Sequence, residues 1–352
     1  IGKATLEIIR KNKKKFKIEL LSANSNLKDL IIQAKEFKVK NLIICDKKKF
    51  QISKNKYKKM NINFYNSFSS ISTILKDKKV DYSMISIVGI DGLYPSLEAV
   101  RYSRNIAIAN KESIVCGWSL LKKELLKYNT NIIPVDSEHF SIYSITKNFN
   151  HKLIDRMYLT ASGGPFLNLS KSKFKNISLK EALKHPNWSM GNKITIDSST
   201  LMNKVFEVIE ARNLFNLDLK KIEILTHPNS YVHGIVKFKN GLIKFLAHDA
   251  DMKIPIQNSI YNNSNIKIKT KNINLNYLNN LNLKYVDSKK FPVVNLLKIL
   301  PNYNSLYETI LITINDYFVD KFLRKKIKYH DMINLIIKFS KFKIFLKYRN
   351  QK

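Results

Sequence analysis

The side chains best placed to do chemistry are three acids, Asp136 and Glu138 in VDSEH and Glu207 in NKVFEVIEAR. Asp136 and Glu138 stand two apart where a buried strand is predicted to end, so both carboxylates can point the same way and would repel if unpaired. A divalent cation resolves that repulsion, and an all-oxygen donor set favours Mg²⁺ or Mn²⁺ over zinc. Glu207 is the natural third ligand. It shares a predicted helix face with Asn203, Lys204 and Glu210, at steps of three and four residues. Ser198 and Lys204 beside a helix N-terminus would make a phosphate seat next to the cation. The plain alternative is a pair of ordinary strand-end acids and a capped helix with a solvated polar face.

Other residues could complete such a site. Asn110, Lys111 and Glu112 bring an amide, an ammonium and a carboxylate to another strand end, and Ser162 opens the glycine turn ASGGPF, whose backbone can approach a ligand closely. Trp188 and Met190 lie in a proline-containing loop that could cover a substrate. His139 serves equally well as a hydrogen-bonded orienter or as a catalyst. His185, His227 and His233, taken singly, read as structural.

The segment that positions most of these groups runs from His185 to Phe215. Its pattern predicts a loop, a short strand at Lys193 to Ile196, N-cap side chains at Asp197 to Ser199, and a helix from near Ser199. Upstream, from Phe16 to Asp136, short apolar runs alternate with helical patterns, which predicts a parallel sheet with right-handed crossovers, a doubly wound α/β domain. Ligands in such sheets lie beyond the carboxyl ends of strands, here Ala23 to Asn26, Gly89, Asn110 to Glu112 and Asp136 to His139. Asn24, Ser25 and Asn26 follow the first strand of the run where an NAD site would place an acid, which favours NADP. Gly2 opens the first helix, where the last glycine of a phosphate-binding turn would lie.

The expected organisation is a Rossmann-type cofactor domain over 1–136, an α+β catalytic, metal and dimerisation domain over 137–261, a linker over 262–290 and a small helical domain over 291–352. No apolar run is long enough to span a bilayer. The formal charge of +35 is carried mostly by lysine spread from end to end among asparagine and isoleucine, as AT-rich codon drift would leave it. With arginine scarce, nucleic acid is not the expected partner. Cys45 and Cys116 have no metal-type spacing and fit a reducing cytosol. A bacterial-type cytoplasmic location is expected, with organelle import left open because the chain begins inside an element.

Together, ANKES at 109–113, PVDSEH at 134–139, SGGPF at 162–166, HPNWSMG at 185–191, DSSTLMNK at 197–204, E..EAR at 207–212 and HPNSYVH at 227–233 resemble, in order and spacing, the 1-deoxy-D-xylulose 5-phosphate reductoisomerase family. The resemblance implies an NADPH-dependent, Mg²⁺- or Mn²⁺-requiring homodimer that rearranges and reduces a phosphorylated sugar in isoprenoid precursor synthesis. It implies Asp136, Glu138 and Glu207 as metal ligands, with Lys111, Glu138 and Glu207 catalytic. Lys111, Ser137 and Glu138 would meet the substrate's oxygens, alongside Glu207. Ser162, His185, Ser198, Asn203 and Lys204 would hold its phosphate end, and Trp188 would sit on a closing flap. Ile1, Asn24, Ser25, Asn26, Asn110, Glu112 and Gly191 would contact the cofactor. The chain departs from the family's pattern where the Gly-Ser-Thr-Gly-Ser turn would fall immediately before Ile1. It departs again at His248-Asp249-Ala250-Asp251-Met252, which stands for Gly-x-Pro-Asp-Met. Asn315-Asp316 echoes the family's Asn-Glu. The rival expectations are another NADP-linked oxidoreductase of homoserine-dehydrogenase-like build, or an inactive or binding-only relative.

Overall fold

The computed structural model describes residues 1–76, 78–261 and 270–351. The chain divides into two compact units, residues 1–110 with 120–133, and residues 111–119 with 134–352.

The first unit alternates helices and short parallel strands. Its elements are α1 (Gly2–Arg10), β1 (Leu20–Ala23), α2 (Leu27–Phe37), β2 (Asn41–Ile44), α3 (Lys47–Lys56), β3 (Asn63–Tyr65), α4 (Ile71–Ile74), β4 (Val80–Ile85), α5 (Leu93–Arg101), β5 (Ser103–Ile108), α6 (Lys111–Tyr128) and β6 (Asn131–Pro134). Two three-stranded sheets result, ordered β1-β2-β3 and β4-β5-β6. The pairs β1–β2, β2–β3 and β4–β5 are parallel. Such strands read as unbroken apolar runs because both faces are covered, and Leu42, Ile43, Ile44, Ile106 and Ala107 are fully buried. Helix α2 starts where the Asn26 side chain accepts from the Asp29 N–H and stops where Lys38 turns left-handed, burying Leu30, Ile31 and Ala34. Strand β3 and helices α3 and α4 occupy a Lys/Asn/Ser-rich stretch that sequence pattern leaves irregular; three residues at a sheet edge are too few to show a period.

The second unit takes the first residues of α6, where Gly117 breaks the helical dihedrals (φ −111, ψ 16). It continues with α7 (Ser137–Thr146), β7 (Ile154–Ala161), α8 (Leu179–Ala182), α9 (Asn192–Thr200), α10 (Met202–Phe215), β8 (Ile222–Thr226), β9 (Val232–Phe238), β10 (Ile243–Ala247), α11 (Lys253–Tyr261), α12 (Leu275–Asn279), β11 (Lys284–Tyr285), α13 (Leu306–Leu323), α14 (Tyr329–Ser340) and α15 (Lys343–Leu346). The sheet order is β10-β9-β7-β8-β11. β7 pairs parallel with β8 and antiparallel with β9. Of the stretch expected as a linker, 262–269 lies outside the described residues, and the remainder carries α12 and the edge strand β11.

The core of this unit gathers Met157 and Leu159 from β7, Val205, Val208 and Ile209 from α10, and Leu311, Tyr307 and Tyr329 from the C-terminal helices. Apart from Asn203 and Leu214, every residue of α10 is buried. A helix covered on all sides shows no amphipathic stripe, and the solvated polar face weighed above does not exist.

Two local expectations are corrected. Lys193 to Ile196 is not a strand but the first half of α9. Ile194 and Ile196 alternate as strand residues do, yet the β-branched and hydroxyl side chains back-bond within the helix, Thr195 Oγ1 to Gly191 O, Ser199 Oγ to Ile196 O and Thr200 Oγ1 to Asp197 O. Asp197, Ser198 and Ser199 therefore lie in the last turn of one helix rather than capping the next. Buried Leu201, at φ 65°, makes the corner between α9 and α10, a left-handed conformation that a leucine adopts only where packing holds it.

Candidate active site and metal centre

Two elements of the second unit deliver the three acids. Asp136 is the N-cap residue of α7 and Glu138 lies in its first turn, so these two project from a helix start and not, as predicted, from a strand end. Glu207 comes from the second turn of α10. One oxygen from each of Asp136, Glu138 and Glu207 lies within 4.8 Å of the others. The convergence expected from sequence is present although the element carrying two of the acids differs.

Two ammonium groups are threaded through this cluster. Lys111 Nζ, from the start of α6, donates to Asp136 Oδ2 at 3.0 Å, Asn203 Oδ1 at 2.7 Å and Glu207 Oε1 at 3.2 Å. Lys204 Nζ lies 2.6 Å from Glu138 Oε1 and 2.5 Å from Glu207 Oε2. Asn203 Nδ2 donates to Glu207 Oε1 and Ser137 Oγ to Glu138 Oε2. Burial alone would push both lysines toward neutrality, but the surrounding carboxylates outweigh it and hold them charged, with pKa raised. Asp136, buried but facing Lys111, is held well below the usual carboxylate range. Glu138 moves the other way: burial, then the charge of Glu207, pushes it up to about 8. With three carboxylates against two ammonium groups, the cluster is short of positive charge at Glu138.

Behind the acids lies a second, fully buried layer. His139 Nε2 donates to the Glu207 carbonyl oxygen at 2.9 Å, and its Nδ1 faces Glu210 Oε2 at 3.6 Å. Neither Nδ1 nor that oxygen has a hydrogen-bond partner among the described residues. Burial pushes Glu210 up to about 7. Asp136, His139 and Glu210 also bring ligand atoms within 4.8 Å of one another. His139 thus lies behind the acids, hydrogen-bonded to the Glu207 main chain.

Among the residues expected at the phosphate, Ser162 Oγ accepts from the Gly164 N–H at 3.1 Å and from His185 Nε2 at 3.1 Å. His185 Nδ1 accepts from the N–H groups of Asn187 and Trp188. Its proton therefore sits on Nε2, and the Ser162 hydroxyl hydrogen is free to point elsewhere. Burial, then the charge of Lys204, lowers His185 to about 4. Gly164 lies at φ +63°, where a Cβ would come 2.9 Å from Ser198 O, so only glycine lets this turn pack on the end of α9. Ser198 is half-buried beside it, but the free helix N-terminus expected there is not: Leu201 N–H donates to Ser198 O and Met202 N–H to Thr200 Oγ1. Trp188 sets its ring edge against His233, centroids 6.2 Å apart, and His233 stacks on His248 at 3.7 Å.

The residues expected at the cofactor occupy turns and helix starts. Ile1 precedes α1 and is 40 % exposed. Asn24, Ser25 and Asn26 form the turn from β1 to α2, with Asn24 O accepting from Asp46 N–H. Asn110 Nδ2 donates to Ile87 O and to Gly89 O at 2.5 Å, an approach that a Cβ on Gly92 would block. Gly191 caps α9 with nothing near its missing side chain. Glu112 pairs with Lys193 Nζ at 3.0 Å, and Lys193 also meets Asp316 at 2.9 Å and Asp197 at 3.5 Å, while Asn315 Nδ2 bonds Asp197 Oδ1 at 2.8 Å. Lys193 was missed because a strand assignment turned it outward; a lysine four residues before an aspartate was the available sign of a helix.

Family models match most of the chain. Residues 1–117 match 1-deoxy-D-xylulose 5-phosphate reductoisomerase, 132–215 its C-terminal domain, and 248–351 the DXP reductoisomerase C-terminal domain. A 1-deoxy-D-xylulose 5-phosphate reductoisomerase of Pelagibacter ubique (strain HTCC1062) is 53% identical over 353 aligned residues, covering 100% of this chain and 91% of that protein. That of Wolbachia pipientis wMel is 38% identical over 96% of this chain and 86% of its own. Among solved structures, the reductoisomerase from Zymomonas mobilis in complex with NADPH superposes with a TM-score of 0.88 at 30% identity, covering 96% of this chain and 88% of that one. A DOX-P reductoisomerase in complex with NADPH, fosmidomycin and magnesium gives 0.89 at 31% identity, over 100% and 89%. With more than half of its residues identical to a relative along its entire length, this chain belongs to the 1-deoxy-D-xylulose 5-phosphate reductoisomerase family.

Proposed function

We propose that this chain converts 1-deoxy-D-xylulose 5-phosphate to 2-C-methyl-D-erythritol 4-phosphate with NADPH and a divalent metal, and that Asp136, Glu138 and Glu207 hold the metal. The observation that carries this is the meeting of those three carboxylates with two buried ammonium groups on one side of α10. Their fit to a hard divalent ion rests on the donor set, all oxygen, and on the burial and the Glu207 charge that together raise Glu138. When bound, the ion polarises adjacent carbonyl and hydroxyl oxygens of the sugar, and NADPH supplies hydride.

The chain's own groups do the rest. The Lys111 ammonium and the Ser137 hydroxyl face the oxygens on which charge develops as the carbon skeleton is cleaved and rejoined, and a protonated lysine stabilises that charge without reorganising. Ser162, His185, Ser198, Asn203 and Lys204 grip the phosphate. That grip keeps both fragments in place between cleavage and re-addition, where an intramolecular step gains over a bimolecular one. Neutral His185 donates through Nε2 to Ser162, orienting the hydroxyl. Glu210 and His139 fix the Glu207 main chain from behind, and Trp188 closes over the substrate. Ile1, Asn24, Ser25, Asn26, Asn110, Glu112 and Gly191 are assigned to NADPH on the family resemblance.

A homodimer and a cytoplasmic location belong to the same proposal. The edge strand β10 leaves Ile243 and Phe245 63% and 50% exposed, with Leu242 beside them, a surface suited to pairing with a second copy. No helix among the described residues is long and apolar enough to cross a membrane. The test is consumption of NADPH on adding 1-deoxy-D-xylulose 5-phosphate, abolished by chelation and restored by Mg²⁺ or Mn²⁺. Consumption unaffected by chelator, or absent with the metal restored, would refute it.

A further inference from the structure

Both oxygens of Glu207 face an ammonium group. Oε1 accepts from Lys111 and Asn203, while Oε2 accepts no hydrogen bond among the described residues and is only ion-paired with Lys204, whose nitrogen also donates to Glu138 Oε1. A divalent ion binding Glu138 and Glu207 must compete with an ammonium group already bridging them. Lys111 is the less exchangeable of the two, anchored by a third acceptor, Asn203 Oδ1, at 2.7 Å. Lys204 has no third acceptor among the described residues, and its charge reaches His185 and His233.

We propose that Lys204 is an exchangeable counter-ion: a divalent metal displaces its ammonium from Glu138 and Glu207, and the released ammonium then binds the substrate's phosphate, so that metal and phosphate bind cooperatively through one side chain. This rests on the metal and phosphate assignments above. It adds that the two sites share a residue, so each ligand must tighten the other by the same factor.

The test is equilibrium binding, without turnover, using Mn²⁺ as metal and glycerol 3-phosphate as the phosphate ester. In the wild-type protein, saturating Mn²⁺ should tighten the ester at least about fivefold, and saturating ester should tighten Mn²⁺ equally. In Lys204→Met and Lys204→Gln, Mn²⁺ should bind as tightly as in wild type or more so, since nothing has to be displaced. The ester should bind weakly, and the coupling should fall to about one. Coupling that persists in both variants, Mn²⁺ affinity that falls in both, or no coupling in wild type would each overturn the exchange; the wild-type measurement stands even if a variant fails to fold. Mn²⁺ binding that is absent, or insensitive to Glu207→Gln, would instead refute the metal assignment itself.

Discussion

The two ends of α10 bury charge in opposite ways. Toward its C-terminus, Arg212 spends its guanidinium completely: Nε and Nη2 on Asn213 Oδ1, Nη1 on Pro301 O and Tyr303 O, and Nη2 on Glu308 Oε1 at 2.8 Å. Glu308 is completed by the N–H and hydroxyl of Ser305 in a capping box. One turn and more earlier, Lys204 and Glu207 are as deeply buried, yet their surroundings hold more acid than base and leave Glu138 pushed up to about 8. A satisfied buried pair specifies how helices dock. An unsatisfied one keeps capacity for a ligand.

Breaking each end should give different readouts. Glu207→Gln should abolish turnover, a loss of at least about 10³-fold or roughly 4 kcal/mol, while NADPH affinity by fluorescence titration stays nearly intact; parallel loss of both would make Glu207 a structural residue like Arg212. Arg212→Met should cost about 3–5 kcal/mol by stranding Glu308 without its partner. It should be read as a lowered denaturant midpoint, with kcat/KM per folded molecule unchanged. Lys204→Ala should raise the substrate KM roughly 10- to 100-fold, the worth of a hydrogen bond to a charged group, and an unchanged KM would remove Lys204 from the phosphate.

The smallest effect concerns pH. His185 is lowered from 6.5 to about 4 in the folded chain, so the unfolded chain binds the proton more readily between those values. Its contribution to stability is complete above pH 6.5 and is lost as pH falls toward and through about 4. Unfolding curves of His185→Gln against wild type should show a shallower decline over that window, and identical slopes would show that the ring is not buried neutral.

The site was more legible than some of the elements that carry it. Asp136, Glu138, Glu207, Lys111 and Lys204 stand out as residue types at helical or strand spacing, whatever element holds them. The carboxylates of VDSEH converge from a helix start as well as they would have from a strand. The α9 segment was misread because Ile194 and Ile196 carry a two-residue period, and only packing against the ASGGPF turn and α13 tells a helix from a strand there. The β3 edge was missed for want of length. Glu210 was visible on the face it shares with Glu207, but its pairing with His139, 71 residues earlier in the chain, was not.

Residue order alone settled which acids, amines and hydroxyls are available and, through their motifs in register, the family. It also settled the alternation of apolar strands with helices in the first unit, because side-chain period and turn residues are local properties. Only the tertiary structure decided that Leu201 turns a corner, that α10 is covered on every side, and that each oxygen of Glu207 faces an ammonium group. Those outcomes depend on groups that are distant in sequence and meet in space. Charge pairing and desolvation act over a few ångströms, and it is the fold that sets those distances.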